Sequence, residues 1–438
     1  MLLILVSTVL VLTKFSDGQQ YPTLNPPYVT FEAFNSGGLR IIVPDDAYTK
    51  VSFYGFLNQS SHTKQWQVRV PRPKNGVWTM LERNFKLRLY DTLDYSIYIM
   101  KNGYQYPFTG RWNVTEFVDE EGNPACLNSK TEMPCGKKVC IGELIFSEDF
   151  HDQSKVFKRW RIEKMFPQEP DYPFNAYTQH AIAIEGETLK INPMLTETYM
   201  DSGFLYENWD LNEDCTGQVA SRECYQVGSG AQILPPVMSG KITTRNTFNF
   251  MYGRIEVRAK LPVGDWLIPE INLEPRDHEY GRLHYGSGLL RVAYTRGNER
   301  YSNTLYGGAV CHDSEPVRSM FLKKIESQDQ IWGHDFHNYT LIWRPESIEV
   351  FVDGQNYGIM MTDGDSPDNF NFDPSMEMQL AAYKKGTSIA PLDKMFYISL
   401  GVRVGGIHDF EESPEKPWRN GSPKAIMKFW ENKHLWHP

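Results

Sequence analysis

Short runs of alternating apolar and polar residues, separated by turn-forming residues, recur along most of this chain. Between Tyr21 and Phe117 the runs are RIIV (Arg40–Val43), VSFYGFL (Val51–Leu57), WQVRV (Trp66–Val70) and YSIYIM (Tyr95–Met100), spaced by PDD, PKNG and KNG. Successive side chains of a strand point to opposite faces, so each run offers one apolar face, and Asn, Asp, Gly and Pro supply the turns. Several strands at this spacing over about a hundred residues predict an immunoglobulin-like sandwich. No stretch keeps a helical period over about ten residues.

The segment Asp119–Gly142 is polar and cysteine-bearing with little periodicity, and reads as a linker. ELIFSEDF (Glu143–Phe150) then opens a second series: LKINP, KITTRNTFNF, YGRIEVRAKLP, LLRVAY, YTLIWR, SIEVFVDG and MFYISLGVRVGG. Many short strands without amphipathic helices between them predict an all-β, two-sheet sandwich or jelly roll. The expected organisation is residues 1–19 as a signal peptide, 20–118 as the first sandwich, 119–142 as the linker and 143–438 as the jelly roll.

Length supports that division, since 438 residues correspond to roughly two or three domains. The 13% aromatic content fits β-rich proteins and carbohydrate binders equally, so it does not choose between them. A net charge of −9 gives no electrostatic case for nucleic acid or anionic lipid as a partner. The apolar run Leu2–Leu12, followed by Lys14, Asp17 and Gly18, reads as a secretory signal cleaved near Gly18–Gln20, too short for a membrane span. No other long apolar stretch occurs, so no membrane-embedded mature form is expected.

Secretion makes the six cysteines disulfide candidates. Cys215 and Cys224 bracket a short polar loop and are expected to pair, whereas Cys126, Cys135, Cys140 and Cys311 allow three connectivities. Sequons place candidate N-glycans at Asn58, Asn113 and Asn338. No metal-ligand spacing stands out, and neither metal nor cofactor is expected.

The chemically telling segment is SGLLRVAYTRGN (Ser287–Asn298), preceded by GDWLIPEINLEPRDHEYG from Gly264 to Gly281. These flanks resemble the family 16 β-glucan hydrolases, whose corresponding strand runs approximately SGEIDIMESRGN. Retaining glycosidases need a nucleophilic carboxylate and an acid/base carboxyl about 5–5.5 Å apart. Alternation along a strand supplies that spacing, and a bulge can re-aim the last member. Aligned with this chain, the family's first Glu falls on Leu289, its Asp on Arg291 and its second Glu on Tyr294. Leucine cannot form a glycosyl ester, arginine stays cationic, and tyrosine with a pKa of ~10 is a poor acid for this task. Glu270, Glu274, Asp277 and Glu279 lie nearby in sequence, and Glu270 and Glu274 could share a strand face.

The resemblance covers about two-thirds of the chain, from Glu143 onward, and is carried further by HDFHNYTLIWRPESIEVFVDG (His334–Gly354) and MFYISLGVRVGG (Met395–Gly406). It implies a jelly roll with a concave glucan cleft. PDD (Pro44–Asp46) and KNGVWT (Lys74–Thr79) resemble the family 39 β-1,3-glucan-binding module. The whole resembles the arthropod Gram-negative-binding and β-1,3-glucan recognition proteins, whose hydrolase domain has commonly lost its carboxylates. Two departures stand out. Ser96 and Pro107 occupy positions where the module typically has Trp and Arg, and related domains continue past WENKHLWHP into one more strand.

The resemblance implies a secreted, non-catalytic pattern-recognition protein that binds microbial cell-wall polysaccharide and acts on serine proteases or peptidoglycan-recognition proteins in the haemolymph. Glycan-binding candidates are Trp66, Trp78, Tyr106, Trp266, Arg276, Arg291 and Tyr294, with a core role the favoured reading for Trp66 and Trp78 and an open one for Trp266. Arg291 in the cleft is expected to favour anionic or heavily hydroxylated ligands. Two alternatives stay open: an endo-β-1,3-glucanase with relocated carboxylates, and an immune scaffold that binds no glycan.

Overall fold

The computed structural model describes residues 24–59, 62–70, 72–122, 126–328, 331–362 and 376–437, which leaves the Leu2–Leu12 run outside the described residues. The chain is all-β and divides into two compact units, Met1–Leu127 and Asn128–Pro438. This boundary falls inside the stretch with linker-like composition. Beyond it, Glu132 and Met251 exchange backbone hydrogen bonds, so this part of the stretch is built into the second unit.

The first unit has seven strands: β1 (Thr30–Ala33), β2 (Leu39–Pro44), β3 (Lys50–Gln59), β4 (His62–Val70), β5 (Val77–Glu82), β6 (Thr92–Lys101) and β7 (Tyr104–Asn113). They form two sheets, ordered β1-β2-β5 and β4-β3-β6-β7. Leu39, Ile41 and Val43 from β2 meet Phe53, Leu57, Ile97 and Ile99 from the other sheet in one core. Every second residue turns inward, as the alternation predicted. The KNG turn between β6 and β7 has positive φ at Asn102 (52°) and Gly103 (81°), the conformation that a tight hairpin needs. Three strands lacked the expected pattern. One of them, β7, contains Pro107 and Gly110, residues depleted in strands; as the edge of its sheet it tolerates a proline without an N–H.

The second unit stacks two sheets. In spatial order, the seven-stranded sheet runs Leu322–Glu326, Thr304–Val310, Leu289–Tyr294, Leu267–Pro275, Phe396–Val404, Lys241–Thr243 and Arg161–Ile162. The four-stranded sheet runs Gly253–Ala259, His337–Trp343, Ser347–Val352 and Gln355–Met361. Ile271, Leu273, Leu290 and Val292 of the first sheet pack on Leu341, Trp343, Ile348 and Val350 of the second. This parity fixes the site: the intervening residues, 270, 272, 274, 289 and 291, face away from the core.

Two expected strands differ. Glu143–Phe150 forms none; its Phe146 and Phe150 instead lie against Trp160. KITTRNTFNF keeps a strand only over Lys241–Thr243, because Thr244 accepts the backbone N–H of Phe248 and turns the chain. Near the end, Ala425–Glu431 is helical, and Trp436 stacks on Phe429 with ring centroids 4.2 Å apart. Cys215 and Cys224 form a disulfide, Cys126 and Cys140 are each disulfide-bonded, and Cys311 is free and buried. Among the described residues no helix is long and apolar enough to cross a membrane.

Candidate functional site

Leu289–Tyr294 is central in the seven-stranded sheet and buried along its full length. Its register shifts against both neighbours, between Ile271 and Asn272 on one side and between Arg291 and Tyr294 on the other. The bulge puts Tyr294 on the same side as Arg291, whose guanidinium lies 3.8 Å from the centroid of the Tyr294 ring. The backbone device that would bring carboxylates together is therefore present, and it carries Leu289, Arg291 and Tyr294.

Outside this strand lies a cleft of about 420 Å³ lined by Leu289, Arg291, Glu270, Asn272, Glu274 and Lys241, among others. Its floor is a buried ion network. Arg318 bridges Asp171 and Asp409 at 2.8 and 2.9 Å, and Arg403 bridges the same two carboxylates, reaching Asp409 at 2.7 Å. Arg291 comes within 3.5 Å of Asp409, Tyr294 donates to Asp409 at 3.0 Å and Tyr285 donates to Asp171 at 2.6 Å. Burial works to raise the Asp171 carboxyl, but the Arg318 and Arg403 guanidiniums overcome it and hold the group well below the usual range. Asp409 is likewise held low against burial, chiefly by Arg403. Burial and the Asp409 carboxylate push the Tyr294 phenol up to about 12, so it is no proton donor at neutral pH.

The cleft also holds the carboxylates singled out as possible replacements. Glu270 and Glu274 do share a face of Leu267–Pro275, but positions four apart on a strand are ~13 Å apart along it. Their side chains converge on Lys241, whose Nζ lies 3.3 Å from Glu270 and 2.8 Å from Glu274. Tyr177 donates to Glu270, and Tyr397 donates to Glu274 at 2.8 Å. Burial works against the charge of Glu274, yet Lys241 keeps its carboxyl below the ordinary value. Lys241 is held well above its ordinary value by Glu270 and Glu274, again against burial. A general acid needs the opposite shift. Asp277 and Glu279 are exposed and do not line the cleft.

Several other candidates lie elsewhere. Trp266, expected at the cleft surface, is 4% exposed, edge-packed on Phe410 and Trp418 in a satellite core. Tyr294 is buried and does not line the cleft, and Arg276 is exposed beside Asp277, outside the cleft wall. Arg291 reaches the cleft floor with only 3% of its side chain exposed, its charge engaged by Asp409, so it is not the free donor expected for anionic ligands. In the first unit Trp66 and Trp78 are core residues, not a sugar platform. Trp66 lies over Gly55, where an added Cβ would sit 2.3 Å from the ring, and Trp78 Nε1 donates to Asp45 at 2.7 Å. Tyr106 is half-buried opposite Ile99, on the core face of β7.

The outer face of β4-β3-β6-β7 is the surface those tryptophans do not reach. Ser96 pairs with Tyr54 and Pro107 pairs with Tyr98, so the two departures from the glucan-binding module flank a tyrosine pair. Tyr54 and Tyr98 meet edge to face at 5.1 Å, Gln67 donates to Tyr54 at 2.9 Å, and Phe56 nearby is 47% exposed. Of the sequon residues, Asn113 and Asn338 are exposed at strand positions, whereas the side chain of Asn58 lies outside the described residues.

Comparison with known proteins agrees with this division. Residues 21–130 match CBM39, the carbohydrate binding domain (family 32), and residues 304–395 match glycosyl hydrolases family 16, a range that begins after Leu289–Tyr294. Beta-1,3-glucan-binding protein 2 of Manduca sexta is 40% identical over 96% of this chain and 93% of its own length. Gram-negative bacteria-binding protein 3 of Drosophila melanogaster is 32% identical over 92% of this chain and 89% of its own length. A Thermotoga maritima laminarinase catalytic domain gives a TM-score of 0.41 at 20% identity, covering 60% of this chain and 88% of that one. The chain belongs to the family of β-1,3-glucan-binding and Gram-negative bacteria-binding proteins.

Proposed function

We propose that this protein binds microbial cell-wall polysaccharide of the β-1,3-glucan class without cleaving it, and acts as a secreted pattern-recognition protein of the haemolymph. The observation that carries this reading is the state of the cleft. By the resemblance to family 16 hydrolases, Leu289, Arg291 and Tyr294 fall on the positions of the catalytic carboxylates, and the Arg291 guanidinium in the cleft floor lies 3.5 Å from Asp409. The names of its relatives support glucan as the ligand class. Export is supported by the apolar Leu2–Leu12 run and the disulfides.

Hydrolysis by relocated carboxylates is the weaker reading. Glu270 and Glu274 both lie on Lys241, and Lys241 holds the Glu274 carboxyl below its ordinary value, the reverse of what a general acid needs. In the first unit the Tyr54–Tyr98 pair offers aromatic faces for sugar stacking where Trp is missing. Serine proteases or peptidoglycan-recognition proteins are the proposed downstream partners. Isothermal titration of the full chain with laminarin is expected to give saturable binding. Absence of binding to laminarin and to peptidoglycan fragments, with recovery of proteases from haemolymph on the immobilised chain, would replace the receptor with a protein scaffold.

A further inference from the structure

A second cluster of chemically capable side chains lies beside the cleft and is used by neither the ion network nor the lysine bridge. His284 belongs to the short turn Leu283–Tyr285, while His312 and Asp313 follow the strand Thr304–Val310. One donor atom from each of the three lies within 4.8 Å of the others, the one such histidine–carboxylate group among the described residues. Both imidazoles present Nδ1 to the same carboxylate: His284 Nδ1 is 2.7 Å from Oδ2 of Asp313, and His312 Nδ1 is 3.3 Å from Oδ1. The rings are stacked, with centroids 5.5 Å apart and planes 16° from parallel.

We propose that His284, His312 and Asp313 form a binding site for a divalent transition-metal ion of the zinc class, with the two Nδ1 atoms and one Asp313 oxygen as ligands. Two imidazoles and a carboxylate, with a further position open to water, form a donor set suited to zinc and its neighbours rather than to calcium or magnesium. His312 Nδ1 accepts the backbone N–H of Ser314 at 3.1 Å, so a lone pair, not a proton, is at Nδ1, and a metal ion would take that lone pair over from Ser314. The Ser314 hydroxyl donates to Asp313 at 2.9 Å, the kind of outer partner that orients a metal-bound carboxylate.

Tetrahedral zinc bonds of ~2.0–2.2 Å bring ligand atoms to about 3.4 Å from one another, so one side chain must move. His284 can: its side chain is 59% exposed, against 14% for His312 and 8% for Asp313. The proton that metal would displace is the one His284 shares with Asp313. The ion would tie the turn holding cleft residues Arg282 and Tyr285 to the end of Thr304–Val310.

The test is a zinc titration of the purified, chelator-stripped full chain by calorimetry, against His284→Ala and the control His434→Ala/His437→Ala. One ion per chain is expected for the wild type and the control. Affinity should fall in His284→Ala by more than the roughly 10–100-fold that loss of an outer partner costs. Unchanged melting temperature of His284→Ala in chelator separates ligand loss from misfolding, and a variant that melts early is replaced by His284→Gln. No stoichiometric zinc binding, or binding undiminished in the His284 variants, would overturn the proposal. The readout is independent of whether the cleft binds glucan.

Discussion

Position 291 sets a buried cation beside Asp409 and over the Tyr294 ring, and these contacts make the charge tolerable inside the sheet. Arg291→Asp would place a third carboxylate against Asp171 and Asp409 and leave Arg318 and Arg403 to neutralise all three. Loss of about 3–5 kcal/mol is expected, read by urea unfolding of the second unit. Placing acidic residues at 289, 291 and 294 together should therefore yield an unstable chain before it yields a hydrolase. The network also sets an acid limit. Asp171 and Asp409 titrate below their unfolded value, so their contribution is complete above about pH 4–5 and disappears as pH falls through their folded values. Thermal scans between pH 7 and pH 3 should show steep loss of stability below about pH 4, and Asp409→Asn should flatten that dependence. Residues 289, 291 and 294 can be singled out from sequence because the flanking motif sets an alignment for them. Their partners were not legible: Arg403 and Asp171 are 232 positions apart, and Tyr285 and Asp171 are 114. The two readings of Trp266 stayed open for a related reason, since a conspicuous tryptophan in a motif looks the same in sequence whether it faces a ligand or Trp418.

Strands announced themselves where both faces differ in polarity and fell silent where they do not. WQVRV and SIEVFVDG alternate and read as strands; β7, with Pro107 and Gly110, does not, because its strand character comes from pairing with β6 rather than from propensity. Glu143–Phe150 misled in the other direction, its aromatics serving as plugs against Trp160. Two substitutions test the elements. Gly55 pairs with Trp66 and leaves room for its ring, so Gly55→Val should expel the indole and cost roughly 1–3 kcal/mol of overpacking strain, seen as a red-shifted tryptophan emission. Lys241 joins two strand carboxylates, and Lys241→Met leaves Glu270 and Glu274 buried without a cation. That variant should lose about 3–5 kcal/mol at pH 7 and recover part of it near pH 5, where a glutamate can take up a proton.

Across the whole chain, two β-rich units carry two different kinds of surface. The second has a cleft whose wall carries Leu289 and Arg291 beside Glu270, Glu274 and Lys241, and the first has an outer sheet face where Tyr54 and Tyr98 pair with Ser96 and Pro107. Tyr98→Ala in the full chain is expected to weaken laminarin binding about tenfold, ~1.4 kcal/mol, in calorimetry. An unchanged affinity would move the binding surface to the cleft. The central claim, attachment without cleavage, is tested most directly by incubating the purified full chain with insoluble β-1,3-glucan, sedimenting the polymer, and assaying the supernatant for new reducing ends. The account predicts that protein leaves the supernatant with the polymer while reducing ends stay at the protein-free level; release of sugar in proportion to added protein would contradict it.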